Sequence, residues 1–405
     1  MKFYNIILNQ KTFTSLLVFL VTTISMYAAN WGSTSVFPAG KTDGMFNFVI
    51  NGKAYVGSGL AGTHFYEFDP SSGIWKDMGT LPGNIYRIWA LAFAYNGKGY
   101  VGGGSIGEAS SLTDTFYEYD PVTNTWTQKA SFGGGKRDAS MSFVIGNKGY
   151  VGGGYDGANI VADFWEYDFS ADKWSQIGYL PFGAAIFPSG FAMGSKGYLI
   201  GGQGVVEHKE VFEFDPYSKA WTKKADFPGK ARQAGCAFVM GNHAYFGGGM
   251  TMYSETFSDF WEYNPTADSW RQLEKEVPTT YTAWATSFVI GSTAYFGGGA
   301  SFDGGTLNFS DAFYTVSGLS TGIEEDGLIP YPRAILRSVA GGLVIQTENP
   351  SLNRIEIFDI IGNQILSKSL TMGEQYIPLE KLSSGIFTYR LRSDKEKGES
   401  GLFFW

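Results

Sequence analysis

Hydrophobic and polar side chains alternate along this chain in short runs, the two-residue period that is typical of β-strands. One stretch shows the order: the segment ending in Ser-Phe-Val-Ile-Gly-Asn (142–147) is followed by Lys-Gly-Tyr-Val-Gly-Gly-Gly (148–154) and Phe-Trp-Glu-Tyr (164–167). A turn and Trp174 come next. The pattern predicts an inner strand, a second strand, a third strand and a tryptophan-bearing outer strand.

This four-strand unit recurs along the chain. The glycine-rich second strand carries a tyrosine at positions 55, 100, 150, 198, 245 and 295, at intervals of 45, 50, 48, 47 and 50. Five outer strands carry a tryptophan at a matching place: Trp75, Trp126, Trp174, Trp221 and Trp270. A period near 48 residues, built from four short strands, is typical of a β-propeller blade.

The sixth repeat reaches Val316 without a following tryptophan, whereas Trp31 stands ahead of the first repeat, 44 residues before Trp75. We therefore expect the strand that carries Trp31 to supply the outer strand of the sixth blade. This pairing would join the last blade to the first and remove the exposed edges of a linear array.

The paired glycines, the aromatic residues before each turn and the spaced tryptophans resemble the kelch family. The resemblance covers about residues 30–318 and implies an all-β fold, a six-bladed kelch β-propeller closed by its N-terminal strand. Two G-x-G-x-x-G strings, at 102–107 and 152–157, precede strands rather than helices, so we interpret them as kelch glycines and not as dinucleotide sites. One glutamate recurs in five blades and is therefore scaffold: Glu67, Glu118, Glu166, Glu213 and Glu262.

The two ends of the chain predict further segments. Residues 1–29 combine lysines, an uncharged apolar run and small residues, which predicts a secretory signal peptide; a retained membrane anchor is the alternative. Residues 319–334 have the composition of a linker, and alternating runs over 335–405 predict a small Ig-like β-sandwich. The segments 357–362 and 382–391 resemble the C-terminal sorting domain of type IX secretion cargo in Bacteroidota, although a final Gly-Leu-Phe-Phe-Trp replaces the usual lysine-rich strand. An adhesive Ig-like domain is the alternative.

Composition excludes several classes of function. Among 405 residues the formal net charge is −8, with scattered lysines and arginines, which argues against a nucleic-acid partner. The single cysteine, Cys236, excludes an intrachain disulfide, and three histidines (His64, His208 and His243) lie too far apart along the repeats for a copper site like that of galactose oxidase. We expect no metal, no cofactor and no membrane span after signal removal.

Candidate binding residues lie where the repeats differ, on the face that carries the connections from outer to inner strands. Aligning the inner strands brings three arginines and three large aromatic residues to the mouth of the central channel, with two tyrosines beside them: Arg87, Arg137, Arg232, Trp89, Phe187, Trp284, Tyr86 and Tyr281. Acids from other loops could join them: Glu108, Asp156, Glu207, Glu255 and Asp303. Guanidinium groups suit carboxylates and flat rings suit sugar or peptide faces. In the alternative interpretation, the arginines tie loops together and the aromatic residues plug the channel.

Two functional hypotheses follow. The first is a monomeric, non-catalytic propeller, exported through the periplasm by the type IX machinery to the cell surface or medium, that binds a glycan or protein on its loop face. The second is an enzyme resembling the kelch-type sialic acid mutarotases, since residues 54–66 resemble their first blade. In that enzyme an arginine would hold the sugar carboxylate and a loop acid would transfer a proton. No catalytic residue is assigned.

Overall fold

The computed structural model describes residues 29–57, 59–107, 111–303, 305–319, 335–339, 342–347, 352–358, 364–371, 373–379, 386–393 and 400–404. The predicted signal peptide, apart from Ala29, and the predicted linker, apart from Leu319, lie outside the described residues, as do Glu108 and Trp405. Across the described ranges, no helix has the length and apolar character needed to cross a bilayer.

Six four-stranded antiparallel sheets occupy residues 30–317, and we number them as blades in chain order. From the inner strand outward, blade 1 comprises Asn47–Ile50, Lys53–Gly57, His64–Asp69 and Ile74–Thr80, and blade 2 comprises Leu91–Tyr95, Lys98–Gly102, Phe116–Asp120 and Thr125–Lys129. Blade 3 comprises Met141–Ile145, Lys148–Gly152, Asp163–Asp168 and Lys173–Tyr179, and blade 4 comprises Ser189–Met193, Lys196–Ile200, Val211–Asp215 and Ala220–Lys223. Blade 5 comprises Cys236–Met240, His243–Gly247, Phe260–Asn264 and Ser269–Gln272, and blade 6 comprises Thr286–Ile290, Thr293–Gly297, Phe313–Ser317 and Asn30–Ser33. The predicted all-β fold is confirmed.

The inner strands lie side by side in chain order, and that of blade 6 also lies beside that of blade 1. In blade 6 the N-terminal strand Asn30–Ser33 pairs with Phe313–Ser317, and Trp31 lies opposite Val316. The Trp31 ring packs against Phe260 of blade 5, with ring centroids 5.6 Å apart. The N-terminal strand therefore takes the place that the repeat pattern leaves empty in the last blade.

Aromatic side chains fill the space between neighbouring blades. Phe164 of blade 3 packs edge-on against Phe214 of blade 4, with ring centroids 4.9 Å apart. A Cβ atom at Gly197 would lie 2.4 Å from Phe143 of the preceding blade, so only glycine lets the two sheets approach this closely. The recurring glycines therefore serve the packing of one sheet on the next.

Short additional elements decorate the loop face, the side that carries the connections from outer to next inner strands and from second to third strands. They are the 3₁₀ helix Gly59–Ala61, the strands Arg87–Ile88, Ser105–Ile106 and Ser111–Leu112, and the hairpin Ala300–Asp303 with Thr306–Phe309. Single bridges occupy matching positions in blades 3, 4 and 5 (Asp138–Tyr155, Ile186–Gln203 and Gln233–Met250), so these elements vary in length from blade to blade.

Two smaller sheets follow the blades. One has the strand order Ile335–Val339, Gly342–Thr347, Gly373–Pro378, and the other has the order Gln364–Ser369, Leu352–Phe358, Ile386–Ser393, Ser400–Phe404. Buried aliphatic side chains from both sheets form one cluster that includes Leu343, Ile355 and Ile377. This arrangement agrees with the predicted β-sandwich.

Candidate functional site

Six residues, one just before each inner strand, form a closed ring of backbone hydrogen bonds on the loop face. Each N–H donates to the carbonyl of the equivalent residue in the preceding blade, over 2.8–3.2 Å. In chain order these residues, which we call the mouth ring, are Gly44, Trp89, Ala139, Phe187, Ala234 and Trp284. Because the bond from Gly44 to Trp284 completes the circle, the ring links all six blades.

The mouth ring has left-handed backbone geometry throughout. Its five non-glycine members have φ between 51° and 55°, and Gly44 has φ of 63°. This conformation costs an L-residue about 1–2 kcal/mol, so the interblade hydrogen bonds must offset it. It holds the equivalent side chain of every blade in one common orientation.

The large members of the mouth ring, Trp89, Phe187 and Trp284, pack against one another. Their ring centroids are 5.1 to 6.1 Å apart, and all three rings are partly exposed. Around the ring they alternate with glycine and alanine. These small residues leave room at the centre for the three aromatic side chains. The structure therefore brings these predicted residues together as an aromatic floor across the channel mouth.

A cavity of about 180 Å³ lies at this floor. It is lined by the mouth ring and the residue after each member: Gly44, Met45, Trp89, Ala90, Ala139, Ser140, Phe187, Pro188, Ala234, Gly235, Trp284 and Ala285. None of these carries a charged side chain, and the one side-chain hydroxyl, that of Ser140, donates to the carbonyl of Gly153 over 2.8 Å. The indole N–H groups of Trp89 and Trp284 are buried without a hydrogen-bond partner.

The predicted arginines lie inside the blades and not in the cavity wall. Arg137, 3% exposed, donates to both carboxylate oxygens of Asp163 over 2.6 and 3.0 Å. Arg232, 1% exposed, donates to both oxygens of Asp259 over 2.5 and 3.2 Å. In each blade this bidentate pair ties the loop before the inner strand to the start of the third strand.

Arg87 occupies the same place in blade 2 but faces a threonine. Its guanidinium donates to Thr115 Oγ1 over 2.5 Å and to the carbonyl of Gly103 over 2.6 Å. Burial lowers the pKa of Arg87 to about 10, because the charged form is removed from water without a carboxylate beside it.

The remaining predicted residues lie on the loop face outside the cavity wall. The Tyr86 hydroxyl donates to the carbonyl of Gly107, and the Tyr281 backbone N–H donates to Thr279 Oγ1. The loop acids are engaged locally: Asp156 accepts two backbone N–H groups of its own turn, and Glu255 pairs with Lys230 over 2.6 Å.

Two buried carboxyl groups beside the mouth ring escaped the sequence analysis. Asp138 is 5% exposed and accepts a hydrogen bond from Ser105 of the preceding blade over 2.8 Å. Asp43 is 2% exposed and its Oδ1 atom is buried without a partner, so burial raises its pKa to about 7. The aligned repeats do contain a signal for these two residues, because the position before the mouth ring is acidic in blades 1 and 3 and uncharged in the other four blades.

No metal site emerges from the described part of the chain, where no three His, Cys, Asp or Glu side chains come together in a manner that could hold an ion. Cys236 is buried, and burial raises the pKa of its thiol to about 12, which leaves it unreactive at neutral pH.

Comparison with known proteins identifies both parts of the chain. Residues 43–249 match the family model described as KLHDC2/KLHL20/DRC7 Kelch-repeats domain, and residues 339–401 match the model described as Secretion system C-terminal sorting domain. A solved structure titled "Structure of YjhT" superposes with a TM-score of 0.60 at 20% identity, covering 69% of this chain and 95% of that one, which shows a shared fold.

Curated relatives match over shorter stretches. N-acetylneuraminate epimerase 2 of Escherichia coli O6:H1 is 30% identical over 149 residues, which are 36% of this chain and 39% of that protein. N-acetylneuraminate epimerase of Pasteurella multocida is 35% identical over 124 residues, which are 29% of this chain and 31% of that protein. The chain thus spans well under half the length of these relatives. The family model covers half of the chain, so the chain belongs to the kelch-repeat family and carries a secretion-system sorting domain of the type IX pathway.

Proposed function

We propose that this chain is a secreted or cell-surface propeller that binds a glycan or protein ligand on its loop face, and that a glycan is the ligand of the channel mouth. The carrying observation is the aromatic floor of Trp89, Phe187 and Trp284, whose rings are partly exposed in an open cavity. Flat aromatic surface buries the apolar C–H face of a sugar ring at low entropic cost, since the rings are already packed in place. The sorting domain supports delivery to the cell surface or medium.

Exposed apolar side chains are concentrated on the same face. Among the described blade residues, those on the loop face are Val36, Leu60, Ile85, Tyr179, Val205, Val206, Met252, Tyr253 and Leu307, and those on the opposite face are Ile74, Val122 and Tyr217. The loops of blades 4 and 5 are joined where Glu207 accepts the backbone N–H of Met252. The exposed apolar side chains of these two adjoining loops are Val205, Val206, Met252 and Tyr253, and we expect a ligand larger than the cavity to contact them.

A glycan array with the chain lacking residues 1–28 tests the proposal. We expect selective binding that Trp89→Ala and Trp284→Ala each weaken by about ten- to a hundredfold. Tyr217→Ala serves as the matched control, because Tyr217 is an aromatic residue 92% exposed on the opposite face. If the tryptophan variants lose only thermal stability, and no glycan binds the parent chain, the aromatic residues are a plug and the glycan proposal fails.

A second candidate, a sugar mutarotase or epimerase, is favoured by the relatives named N-acetylneuraminate epimerase. In this candidate an arginine holds the sugar carboxylate. Arg87 is the one to test, because it has no carboxylate partner to release, whereas Arg137 and Arg232 are held by Asp163 and Asp259.

The enzymatic candidate is tested by following interconversion of the anomers of N-acetylneuraminate by NMR, with and without the chain. Acceleration that Arg87→Met removes at unchanged melting temperature would support the enzyme. A rate equal to that in buffer alone, over a panel of sugars, would leave the binding module as the function.

A further inference from the structure

We propose that the cavity at the mouth ring accepts an uncharged sugar residue and disfavours an acidic one, so that neutral hexoses or N-acetylhexosamines, and not sialic acids, are the ligand class. This inference rests on the proposed glycan-binding function and names its ligand. It separates this chain from the relatives named for N-acetylneuraminate, which carries a carboxylate.

The cavity wall carries no positive charge, and its unpaired side-chain donors are the two neutral indole N–H groups of Trp89 and Trp284. Its twelve lining residues are aromatic, aliphatic, glycine or proline, apart from Ser140, whose hydroxyl is already donated to Gly153. The peptide N–H groups of the mouth ring are also committed, since each donates to the preceding blade. An anion entering this space would lose its hydration and gain no cation, and the two neutral indole N–H groups can donate to the hydroxyl of an uncharged sugar as well.

The arginines cannot supply a cation to the cavity without losing the hydrogen bonds that they make inside the blades. Arg137 and Arg232 are at most 3% exposed and each holds both oxygens of an aspartate. Arg87 is 5% exposed and donates to Thr115 and Gly103. Turning Arg137 or Arg232 toward the cavity would leave a buried aspartate unpaired, which is strongly destabilising. Turning Arg87 would leave the buried Gly103 carbonyl and the Thr115 hydroxyl without their donor.

Apart from the arginines, which are committed inside the blades, the ionisable residues nearest the lining in sequence are acidic. Asp43 and Asp138 stand one residue before the lining residues Gly44 and Ala139, and both are at most 5% exposed. Exposed lysines at positions 41 and 136 stand two residues further from the wall and are free to contact only the outer part of a ligand. A carboxylate seated in the cavity would therefore have acidic groups, and no unpaired cation, at the positions directly before the wall.

The volume of the cavity limits the ligand class further. About 180 Å³ is below the roughly 300–1,000 Å³ of typical sites for drug-sized ligands, so the cavity admits one sugar ring or a smaller group. The aromatic floor matches the apolar face of such a ring. A terminal neutral sugar residue, with the rest of the glycan lying over the loops, meets both requirements.

The test measures binding of N-acetylglucosamine, galactose and N-acetylneuraminate to the chain lacking residues 1–28, by saturation-transfer NMR and calorimetry at low and high salt. We expect at least one neutral sugar to bind at least tenfold more tightly than N-acetylneuraminate. Its affinity should not change with salt, because no ion pair is formed. Trp284→Ala should weaken it at least tenfold, and Trp284→Phe, which keeps a ring in place, should retain most of it.

Each contrary result has a distinct meaning. Preferred binding of N-acetylneuraminate that weakens as salt rises would overturn the inference and leave glycan binding standing. Neutral binding that survives Trp284→Ala in a folded protein, while Tyr253→Ala on the exposed loop removes it, would place the site elsewhere and also overturn it. Binding of none of the three sugars contradicts the inference, and the glycan array then decides the proposed function separately.

Discussion

Arginine–aspartate pairs inside blades 3 and 5 have a structural role that follows from their burial. Arg137 is only 3% exposed, so water does not solvate its positive charge, and the Asp163 carboxylate compensates it instead. The Asp163 carboxylate also accepts the indole N–H of Trp165 over 2.7 Å. Removing the acid therefore strands a buried cation and an indole donor at the same time.

Asp163→Ala is expected to lower the free energy of unfolding by about 3–5 kcal/mol, the usual cost of breaking a buried ion pair by removing one partner. Thermal unfolding of the chain lacking residues 1–28 measures it. Glu255→Ala is the matched control, since the Lys230–Glu255 pair is exposed (65% and 52%) and should cost less than about 1 kcal/mol. Equal effects of the two substitutions would show that Asp163 has no structural role.

Asp43 gives the propeller a pH-dependent stability with a definite sign. Burial raises its pKa from 3.8 to about 7, so between those values the folded chain holds a proton that the unfolded chain has lost. This contribution is complete below pH 4 and is lost as the pH rises through 7. The shift of about three pKa units sets an upper limit of about 4 kcal/mol.

Asp43→Asn, which cannot ionise, should therefore raise the melting temperature relative to the parent chain at pH 8 and change it little at pH 4. The comparison at each pH cancels the titration of all other groups. A difference in melting temperature that is the same at both pH values would contradict the assigned protonation of Asp43.

At the residue scale, aligning the repeats identifies side chains at equivalent positions but does not give their orientation. The alignment correctly brought Trp89, Phe187 and Trp284 together. It did not show that Arg137 and Arg232 point into the blades. That orientation depends on Asp163 and Asp259, which occupy another position of the repeat, at the start of the third strand. The common positive φ of the mouth ring was also hidden, since only one of its six members is glycine.

At the element scale, the sequence repeat predicts the strands of each blade but does not predict the elements inserted between them. Each four-stranded sheet follows from a period of alternating residues that recurs, and the orphan Trp31 indicated which strand completes blade 6. The residue before the mouth-ring member also pairs with the loop after the second strand in other blades, through single bridges such as Asp138–Tyr155 and Gln233–Met250. In blade 2 this pairing extends to the short strand Arg87–Ile88, and in blade 6 the loop extends to a hairpin that begins at Ala300, and the repeat does not predict these lengths. The short strand Arg87–Ile88 leads directly into Trp89 of the mouth ring.

Removing residues 30–36 should leave blade 6 without its outer strand and cost several kcal/mol, a large part of a typical stability of roughly 5–15 kcal/mol. The deleted strand pairs with Phe313–Ser317, and the Trp31 indole N–H donates to the carbonyl of Lys275 over 3.1 Å. Trp31→Ala is the milder variant, expected to lose the packing against Phe260 while the pairing remains. An unchanged melting temperature of the truncated chain would refute the role of this strand in holding the ring closed.

At the scale of the whole molecule, the chain joins a kelch propeller to a sorting domain, and each has its own buried core. The blade cores lie between neighbouring sheets, as where Phe164 meets Phe214, whereas the sorting domain buries Leu343, Ile355 and Ile377 in a separate cluster. Because neither cluster contains residues of the other, folding of the propeller should not depend on the sorting domain. Its export should depend on it.

Deleting residues 335–405 should therefore leave a propeller that melts at the temperature of the parent chain but is retained in the periplasm, since the removed segment holds the whole match to a secretion-system sorting domain. Fractionation of the native host into periplasm, cell surface and medium measures the location, and thermal unfolding of the purified protein measures the fold. Asp163→Ala in the full chain is the control, because it weakens the propeller and leaves the sorting domain intact. If the truncated protein reaches the cell surface or medium at the level of the parent chain, the export signal lies elsewhere in the sequence. If it is retained but unfolded, the two parts depend on each other for stability, contrary to the separation of their cores.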